Sequence, residues 1–414
     1  MNPQSADPKS PWRILYAVGP GDVVGQYREL AAGKPPPFQI GMSFSKQFVD
    51  WCDEAGVETH LVSSHERRDF LQVGPHRVEN LPNSALYFGG GIKHHIGTLL
   101  YGLRIVAMAR RERPTILIVD SGTTHWIVLS LLSLFRIPVI AVLHNCLWPR
   151  GFPPARPLDR VLRWLDGIFF RRFAAATVCV SPECERQVRK VAGTTKGPVY
   201  QCRVQYRHGF LERAGPVPPH EGRPFRTLFL GRIEESKGVF LILSIAERLE
   251  KEMPGQFAWK ITGSGSATEE LLRQARERKL DGVVEVPGRI ADEQGALEVF
   301  RWAHAMVVPT TSHFREGLTM SAVEAILAGR PVVVSGAVPV GDVLGRAAIE
   351  VETDVPDGFV AAFRRLATDA AYYDECRRAT LEVQGQFYDA SQGLGAVLGR
   401  AIAELNAAGT PASR

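Results

Sequence analysis

Short apolar runs rich in β-branched residues alternate along the chain with segments of helical periodicity. The runs are continuously apolar, which is typical of parallel strands that helices bury on both faces. Alternation of such strands with helices predicts α/β structure, here two doubly wound, Rossmann-like domains that face each other across a cleft. The strand-like runs of the first half are RILYAVG, VETHLVSS, TILIVD, IPVIAVLH and ATVCVS, and those of the second half are RTLFLG, FAWKITG, VVEVPG, HAMVVPT and RPVVVS.

Two domains are also expected from the length, because 414 residues would make a single core oversized. Proline and glycine are frequent in LERAGPVPPHEGRP, residues 211–224, which predicts a linker there. We place the first domain at 11–213 and the second at 222–390, with a helix over about 392–414 that could pack back on the first. Ligands of such sheets bind beyond the carboxyl ends of the strands.

The composition indicates a class of protein and excludes several kinds of binding partner. The chain is 45% hydrophobic and 22% charged, which is ordinary for a globular protein. A formal charge of +5 suits phosphate-bearing ligands or an anionic membrane surface and is too small to imply nucleic acid. The six cysteines form no CxxC pair, so neither a zinc site nor a disulfide framework is expected.

No targeting or membrane-spanning segment is expected. The N-terminus, MNPQSADPKSPWR, lacks the apolar core of a secretory signal. The most apolar window, WIVLSLLSLF at 126–135, is too short to cross a bilayer as a helix and predicts a buried helix. The sequence therefore favours a cytoplasmic enzyme with reduced cysteines.

The loop that follows RTLFLG is RIEESKG, residues 232–238, and a helical run begins after it. Arg232 and Lys237 therefore lie near a helix N-terminus, where free amides and the helix dipole favour anions. Arginine binds phosphate oxygens in a fork and lysine supplies a point charge, so the pair could hold phosphate. Two solvated surface cations are the alternative.

A short glycine-rich turn, GSGS at 263–266, follows FAWKITG. Gly263 and Gly265 would let a ligand approach the backbone closely. The turn lacks the third glycine of the dinucleotide-binding fingerprint, so a dinucleotide is not predicted.

Two glutamates stand eight residues apart in FREGLTMSAVEAILAGRPVVVS, 314–335. Glu316 precedes the predicted helix, and Glu324 lies inside it, beside a stripe of apolar residues. A carboxylate buried there needs hydrogen-bond donors, which the hydroxyls of a sugar or ribose would supply. A capping acid and an exposed helical glutamate are the alternative. The free amides beside Glu316, where a ligand would reach the helix N-terminus, are those of Gly317, Leu318 and Thr319.

As a set, GRIEESKG, GSG, VPGRI and PTTSHFREGLTMSAVEAILAGRPVVVS resemble the family 4 glycosyltransferases (glycosyl transferases group 1), retaining enzymes with the GT-B fold. The E-x7-E pattern of that family matches Glu316 and Glu324, and its phosphate-binding arginine and lysine match Arg232 and Lys237. The resemblance is strong over about 225–340 and fainter over 100–210, where VLHNCLWP and VCVSPECERQV lie.

The resemblance implies a nucleoside-diphosphate sugar bound mainly by the second domain. Arg232 and Lys237 would hold the diphosphate and neutralise the charge that grows on it as it leaves. Glu324 would accept hydrogen bonds from the ribose, and Glu316 from the donor sugar. His144, after IPVIAVL, matches a histidine that faces the donor sugar, and a histidine that simply ends a buried strand is the alternative. The backbone expected to line the base is that near Gly265, Arg289 and Ile290.

The implied activity is retaining transfer of a sugar to a glycan or lipid-linked acceptor, in the assembly of bacterial polysaccharide or glycolipid. A nucleotide-sugar 2-epimerase of the same fold and a non-catalytic nucleotide-sugar-binding protein are the alternatives. No Asp-x-Asp motif lies in a suitable loop, so neither a metal nor another cofactor is expected. The base, the sugar, the acceptor and the oligomeric state stay open.

The first domain departs from the family pattern in its first loop. Family members often have a Gly-Gly loop after the first strand, a role that Gly19 and Gly21 could take, although a proline separates them. The long insert that follows, up to Gly41, could be a lid over the acceptor.

Residues 157–173 predict an amphipathic helix, with Trp164 among arginines on one side. Peripheral contact with the inner face of a membrane is one interpretation of this pattern. Packing of an ordinary amphipathic helix on the sheet is the favoured one.

Overall fold

The computed structural model describes residues 12–32, 40–218 and 224–407 of the chain. The strands of its first half are β1 (Arg13–Ala17), β2 (Glu58–His65), β3 (Asp69–Val73), β4 (His76–Pro82), β5 (Ile116–Asp120), β6 (Val139–Leu143), β7 (Ala174–Cys179) and β8 (Val199–Gln201). They form one sheet in the order β3-β4-β2-β1-β5-β6-β7-β8, in which β3 and β4 are antiparallel and the other neighbours are parallel.

Helices cover both faces of this sheet. They are α1 (Val23–Ala31), α2 (Phe44–Ala55), α3 (Gly91–Glu112), α4 (Pro157–Arg172) and α5 (Pro182–Ala192), with 3-10 helices at Ala85–Gly89 and Trp126–Phe135. The central strands β5 and β6 are buried along their whole length, which explains why their sequences are continuously apolar.

A second sheet follows a short 3-10 helix at Leu211–Ala214. Its strands are β9 (Phe225–Leu230), β10 (Phe257–Thr262), β11 (Val284–Gly288), β12 (Ala305–Val308), β13 (Val332–Ser335) and β14 (Ala348–Val351). They are parallel and follow the order β11-β10-β9-β12-β13-β14. The two doubly wound domains predicted from the sequence are therefore confirmed.

The remaining helices follow the strands of the second sheet or lie beyond them. They are α6 (Val239–Glu252), α7 (Thr268–Glu277), α8 (Glu293–Trp302), α9 (Met320–Leu327), α10 (Gly341–Leu344), α11 (Pro356–Thr368), α12 (Ala370–Val383) and α13 (Leu394–Ala407). A 3-10 turn at Glu235–Lys237 precedes α6.

The chain changes from one core to the other near Arg203. Cys202 belongs to the first core and Val204 to the second, so the changeover precedes the predicted linker. Leu211 at the start of that linker is buried in the second core, and 219–223 lie outside the described residues. Helix α13 returns to the first core, where Leu394 and Leu398 are fully buried, and 408–414 again lie outside the described residues.

The edge strands β3, β8 and β14, and β4 next to β3, are absent from the sequence prediction. Strand β3 alternates between half-exposed and exposed positions and therefore lacks the continuous apolar run that marks a buried strand.

The prediction of a buried helix at 126–135 is wrong in part. The segment is a 3-10 helix with Trp126 and Leu129 buried, whereas Leu134 is 75% exposed. The apolar side chains of this segment therefore lie partly in the core and partly on the protein surface. Among the described residues, no helix combines the length and the apolarity needed to cross a membrane.

Candidate active site

The two domains meet where β6 ends and where the loop before α9 passes it. Asn145 and Gly317 form an antiparallel bridge, and the Cys146 amide donates to the Glu316 carbonyl oxygen at 3.2 Å. A Cβ atom on Gly317 would lie only 1.9 Å from the His144 carbonyl oxygen. Glycine is therefore required at 317 for this close approach, which brings the predicted Glu316 and His144 to the same interdomain boundary.

Glu316 is buried and paired. Lys237 Nζ lies 2.5 Å from Glu316 Oε1, and the Thr310 hydroxyl donates to the same oxygen at 3.0 Å. These partners come from two strand-to-helix connections, those after β9 and β12. The two residues predicted to contact the diphosphate and the donor sugar are thus brought into direct contact.

An aromatic ring lies between the two predicted phosphate-binding cations. The Phe314 ring centroid is 3.8 Å from Lys237 Nζ and 5.6 Å from the Arg232 guanidinium carbon. The Arg232 side chain is 58% exposed and pairs with Glu234, with 2.6 Å between Nη1 and Oε1. Because an exposed pair of this kind is weak, Arg232 could exchange Glu234 for a phosphate at little cost.

Glu324 lies on α9, where it is 6% exposed. Among the described residues, none donates a hydrogen bond to its carboxylate. Burial raises the pKa of Glu324 to about 8. A buried carboxylate without donors is unfavourable, and the supply of donors by ribose hydroxyls stays a prediction.

Two buried threonine hydroxyls near the predicted donor site are also unsatisfied within the described part of the chain. They are those of Thr319, the cap residue of α9, and of Thr262, which ends β10. Buried polar atoms are normally hydrogen-bonded, so these two hydroxyls have unused hydrogen-bonding capacity beside the predicted site. Leu318 and Thr319 directly precede the first residue of α9.

The glycine-rich turn after β10 lies against the end of β9. Gly263 has φ 148°, and a Cβ atom there would be 1.8 Å from the Gly231 carbonyl oxygen. Gly265 is similarly close to the Ile233 carbonyl oxygen, at 2.3 Å. The turn therefore needs glycine for the packing of two loops, which is a structural reason separate from any ligand.

A cavity of about 250 Å³ lies beyond the ends of β10 and β11. Its walls include Thr262, Arg289 and Ile290, with Lys260 and Glu298. The position of Arg289 and Ile290 beside a cavity is compatible with their predicted contact with the base.

His144 follows β6 and is surrounded by residues of the first domain. Its Nε2 atom lies 3.0 Å from Asp120 Oδ1, and the Phe44 ring stacks on the imidazole with 4.2 Å between centroids. The Tyr16 hydroxyl donates to the same Asp120 oxygen at 2.8 Å. Asp120 and Phe44, which lie against the imidazole, were missed by the sequence analysis, although TILIVD ends with that aspartate.

Gly19 and Gly21 lie between β1 and α1, at the carboxyl edge of the first sheet. Neither has a positive φ, and a Cβ atom on Gly21 would meet nothing within 4 Å. Their contact with a ligand stays a prediction. Part of the proposed lid, 33–39, lies outside the described residues, while Gly41 packs against Met320 and Tyr206.

A second cavity, of about 360 Å³, lies in the first domain next to the interdomain boundary. Arg163, Asp166 and the histidines of α3 line it, together with Arg315, the neighbour of Glu316 in the chain. Arg163 Nη1 is 3.1 Å from Asp166 Oδ2, and burial raises the pKa of Asp166 to about 6. His95 Nδ1 is 3.3 Å from His125 Nε2, and burial lowers the pKa of His125 to about 4.

Arg315 contributes a positive charge to this cavity. The residue is exposed, and among the described residues none accepts a hydrogen bond from its guanidinium. Desolvation by surrounding protein, with the positive charge of Arg163, lowers the pKa of Arg315. Sequence analysis missed this residue, although it directly precedes Glu316.

Among the described residues, no group of three or more His, Cys, Asp or Glu side chains is arranged to hold a metal ion. The absence of a metal requirement stays a prediction.

Two family models match the chain. Residues 224–369 match Glycosyl transferases group 1, and residues 45–201 match Glycosyltransferase Family 4. Together the matches cover more than half of the chain, the first including all strands of the second sheet and the second including β2 to β8 of the first sheet.

A curated relative is the glycogen synthase of Mycobacterium tuberculosis, which is 26% identical over 294 residues. The match covers 67% of this chain, and the chain spans 66% of the length of that relative.

Solved structures share the fold over almost the whole chain. The Anabaena protein HepE, in complex with UDP, has a TM-score of 0.64 and 14% identity, with 95% of this chain and 100% of that chain covered. Sucrose-phosphate synthase of Thermosynechococcus elongatus has a TM-score of 0.70 and 18% identity, with 96% and 100% covered. An E. coli trehalose-6-phosphate structure, bound with UDP-2-fluoro glucose, has a TM-score of 0.70 and 13% identity, with 94% and 98% covered.

Proposed function

The chain belongs to the group 1 glycosyltransferases of GT-B fold, and from this premise we propose that it transfers a sugar from a nucleoside-diphosphate sugar to an acceptor on the first domain. The observation that carries the proposal is Glu324, a buried carboxylate for which the described residues provide no donor. A nucleoside-diphosphate sugar supplies hydroxyl donors there and an anion for Arg232 and Lys237. Structures of the same fold that contain UDP or UDP-2-fluoro glucose support this class of donor.

In the proposed complex the donor lies along the second domain. Its base enters the cavity beside Arg289 and Ile290, and its ribose donates hydrogen bonds to Glu324. Its diphosphate lies near Arg232 and Lys237, and a sugar hydroxyl donates to Glu316. The amides of Gly317, Leu318 and Thr319 complete the contact at the start of α9.

The proposed reaction retains the configuration of the anomeric carbon. The bond from this carbon to the diphosphate oxygen breaks, and a bond to the acceptor oxygen forms on the same face. The acceptor proton passes to the leaving phosphate, so no protein carboxylate has to act as nucleophile. Arg232 and Lys237 stabilise the charge that develops on the diphosphate, which is electrostatic catalysis. His144, held by Asp120 and Phe44, faces the donor sugar from the first domain.

The cavity beside Arg315 is where we propose that the acceptor binds. It adjoins Glu316 through the chain and is large enough for a sugar-sized ligand. A glycan or a lipid-linked glycan, as used in polysaccharide or glycolipid assembly, is the acceptor class that we favour. The unpartnered guanidinium of Arg315 favours an acceptor that carries a phosphate or a carboxylate.

The donor is tested first by binding. UDP, GDP and ADP are compared by thermal shift, because a ligand that binds the folded state raises its melting temperature. Arg232→Ala should then weaken binding of the best nucleoside diphosphate about tenfold and leave binding of the corresponding nucleoside unchanged, since a charge-assisted hydrogen bond contributes about 1.5–3 kcal/mol. Equal binding of the diphosphate by the variant and the natural protein would remove Arg232 from the site.

The reaction is tested with the matching nucleotide sugar and candidate acceptors. Proton NMR of the product should show the anomeric configuration of the donor. Conversion of the donor sugar to its 2-epimer without an acceptor would instead identify an epimerase. Tight binding of the donor without turnover on any acceptor would support a non-catalytic binding protein.

A further inference from the structure

Exposed large apolar side chains are concentrated in the first domain. Of the second-domain residues that the structure describes, Leu272 and Leu381 alone fall in this class. Isolated exposed residues of that kind need no explanation, whereas contiguous apolar surface marks a site of interaction. The first domain carries such surface on three neighbouring elements.

Helix α3 has an apolar stripe that faces solvent. Ile92, Ile96, Leu99, Leu100 and Leu103 are exposed and recur at helical spacing, with Ile92 68% exposed. The opposite side of the same helix, which includes Tyr101, Ile105 and Ala109, packs in the core. An ordinary surface helix would have polar residues along its outer stripe.

The 126–135 segment and α4 continue this stripe. Leu131, Leu134 and Phe135 are exposed on the segment, and Leu158, Val161 and Trp164 are exposed on α4. The segment packs against α3 on one side and against α4 on the other. We call the exposed apolar side chains of α3, the segment and α4 the α3–α4 face. The expectation that α4 simply packs its apolar residues on the sheet therefore fails for Leu158 and Val161.

The exposed charged residues of these three elements are basic. They are Lys93, Arg104, Arg110, Arg111, Arg160, Arg171 and Arg172. The acidic residues Glu112 and Asp159 are only partly exposed, and Asp166 is buried. Arg110 also lies over the Phe135 ring, 5.3 Å from its centroid. Apolar side chains rimmed by cations match the surface of a bilayer that contains anionic lipids.

We propose that the α3–α4 face binds an anionic lipid bilayer. A symmetric dimer through this face is disfavoured, because it would bring the cationic rims of two copies together. The inner sides of α3, the 126–135 segment and α4 also wall the cavity beside Arg315. The idea that this bilayer carries the acceptor rests on the proposed function. The binding of the bilayer to the α3–α4 face does not depend on it.

Co-sedimentation of the full chain with vesicles tests the proposal. The protein should sediment with phosphatidylcholine vesicles that contain phosphatidylglycerol, and little with phosphatidylcholine alone. Leu134→Glu and Trp164→Glu should each reduce the bound fraction about fivefold, because each removes an apolar contact and adds repulsion. Raised salt should weaken binding as well.

Leu381→Glu is the matched control, because Leu381 is 60% exposed, as Trp164 is, and lies on α12 of the second domain. It should sediment like the natural protein. Light scattering of the soluble protein shows whether the substitutions change its oligomeric state, and nucleoside-diphosphate binding shows that each variant is folded.

The proposal is overturned if the natural protein ignores anionic vesicles, or if Leu381→Glu weakens sedimentation as much as Leu134→Glu does. A dimer that the face variants dissociate would identify a protein–protein interface instead. If vesicle binding fails while nucleotide binding and transfer persist, the proposed function stands without the bilayer.

Discussion

Lys237 and Glu316 form a mostly buried ion pair across two loops, with 2.5 Å between Nζ and Oε1. The pair joins the connection after β9 to the connection after β12, so the predicted phosphate-binding and sugar-binding ends of the site are one unit. Removal of one partner would leave the other charge buried and uncompensated.

We predict that Lys237→Met and Glu316→Gln each lower the free energy of unfolding by about 3 kcal/mol. The double variant should lose less than the sum, with a coupling of about 1–3 kcal/mol, because neither charge is then left alone. Denaturant unfolding of the four proteins measures this cycle. Strict additivity would show that the two side chains act independently in solution. All three variants should have much lower transferase activity, whatever their stability.

Glu324 should destabilise the protein in the absence of a nucleotide. Burial raises its pKa to about 8 from the ordinary value of 4.5, so the folded state holds a proton that the unfolded state releases between these values. Stability from this group is therefore present below about pH 4.5 and is lost as the pH rises towards 8. The loss is on the order of 3–5 kcal/mol.

Glu324→Gln removes this pH dependence. We predict that the variant gains stability relative to the natural protein as the pH rises from 5 to 9, although it binds the nucleotide more weakly. Denaturant unfolding across this range measures the gain. Glu382→Gln, at an exposed position of α12, serves as the control and should follow the natural protein at every pH.

Nucleotide binding should release protons through the same carboxylate. Ribose hydroxyls stabilise the ionised form of Glu324 by donating hydrogen bonds to it, so binding lowers its pKa from about 8. At pH 7 we expect up to one proton to be released for each nucleoside diphosphate bound. Calorimetry in buffers of different ionisation enthalpy measures this number. The release should vanish in Glu324→Gln, and a release that persists there would assign the proton to another group.

The sequence was sufficient to predict the buried strands and the order of the two domains. Continuous apolar runs identify strands such as β5 and β6 because both of their faces are covered. It was insufficient for β3, where an edge position leaves the side chains half-exposed. The same limit explains the 126–135 segment. An apolar window indicates side chains that avoid water, but it does not distinguish burial in the protein core from contact with another apolar surface.

For the candidate site as well, residues in local patterns were predictable and long-range contacts were not. Arg232, Lys237, Glu316 and Glu324 stand in local patterns, and the structure brings the first three around Phe314 and the Lys237–Glu316 pair. Partners that come from distant parts of the chain have no local pattern. The stacking of Phe44 on His144 bridges 100 residues of sequence and brings the first residue of α2 beside the residue that follows β6.

The last prediction concerns Gly317, whose role depends only on the absence of a side chain at this position. A Cβ atom at this position would lie 1.9 Å from the His144 carbonyl oxygen and 2.8 Å from a Val180 methyl carbon. Gly317→Ala must therefore push the loop that carries Glu316 away from β6, and a displacement of about 1 Å at a catalytic site can lower the rate about 100-fold. Gly282→Ala, in the turn before β11, is the matched control, since nothing lies within 4 Å of its added methyl group. We expect the first variant to lose transfer while it still binds the nucleoside diphosphate through the second domain, and the second to keep both activities. Steady-state transfer rates and calorimetric binding of the nucleotide measure the two effects separately. Full activity of Gly317→Ala would mean that the close contact between the domains is unnecessary for the reaction.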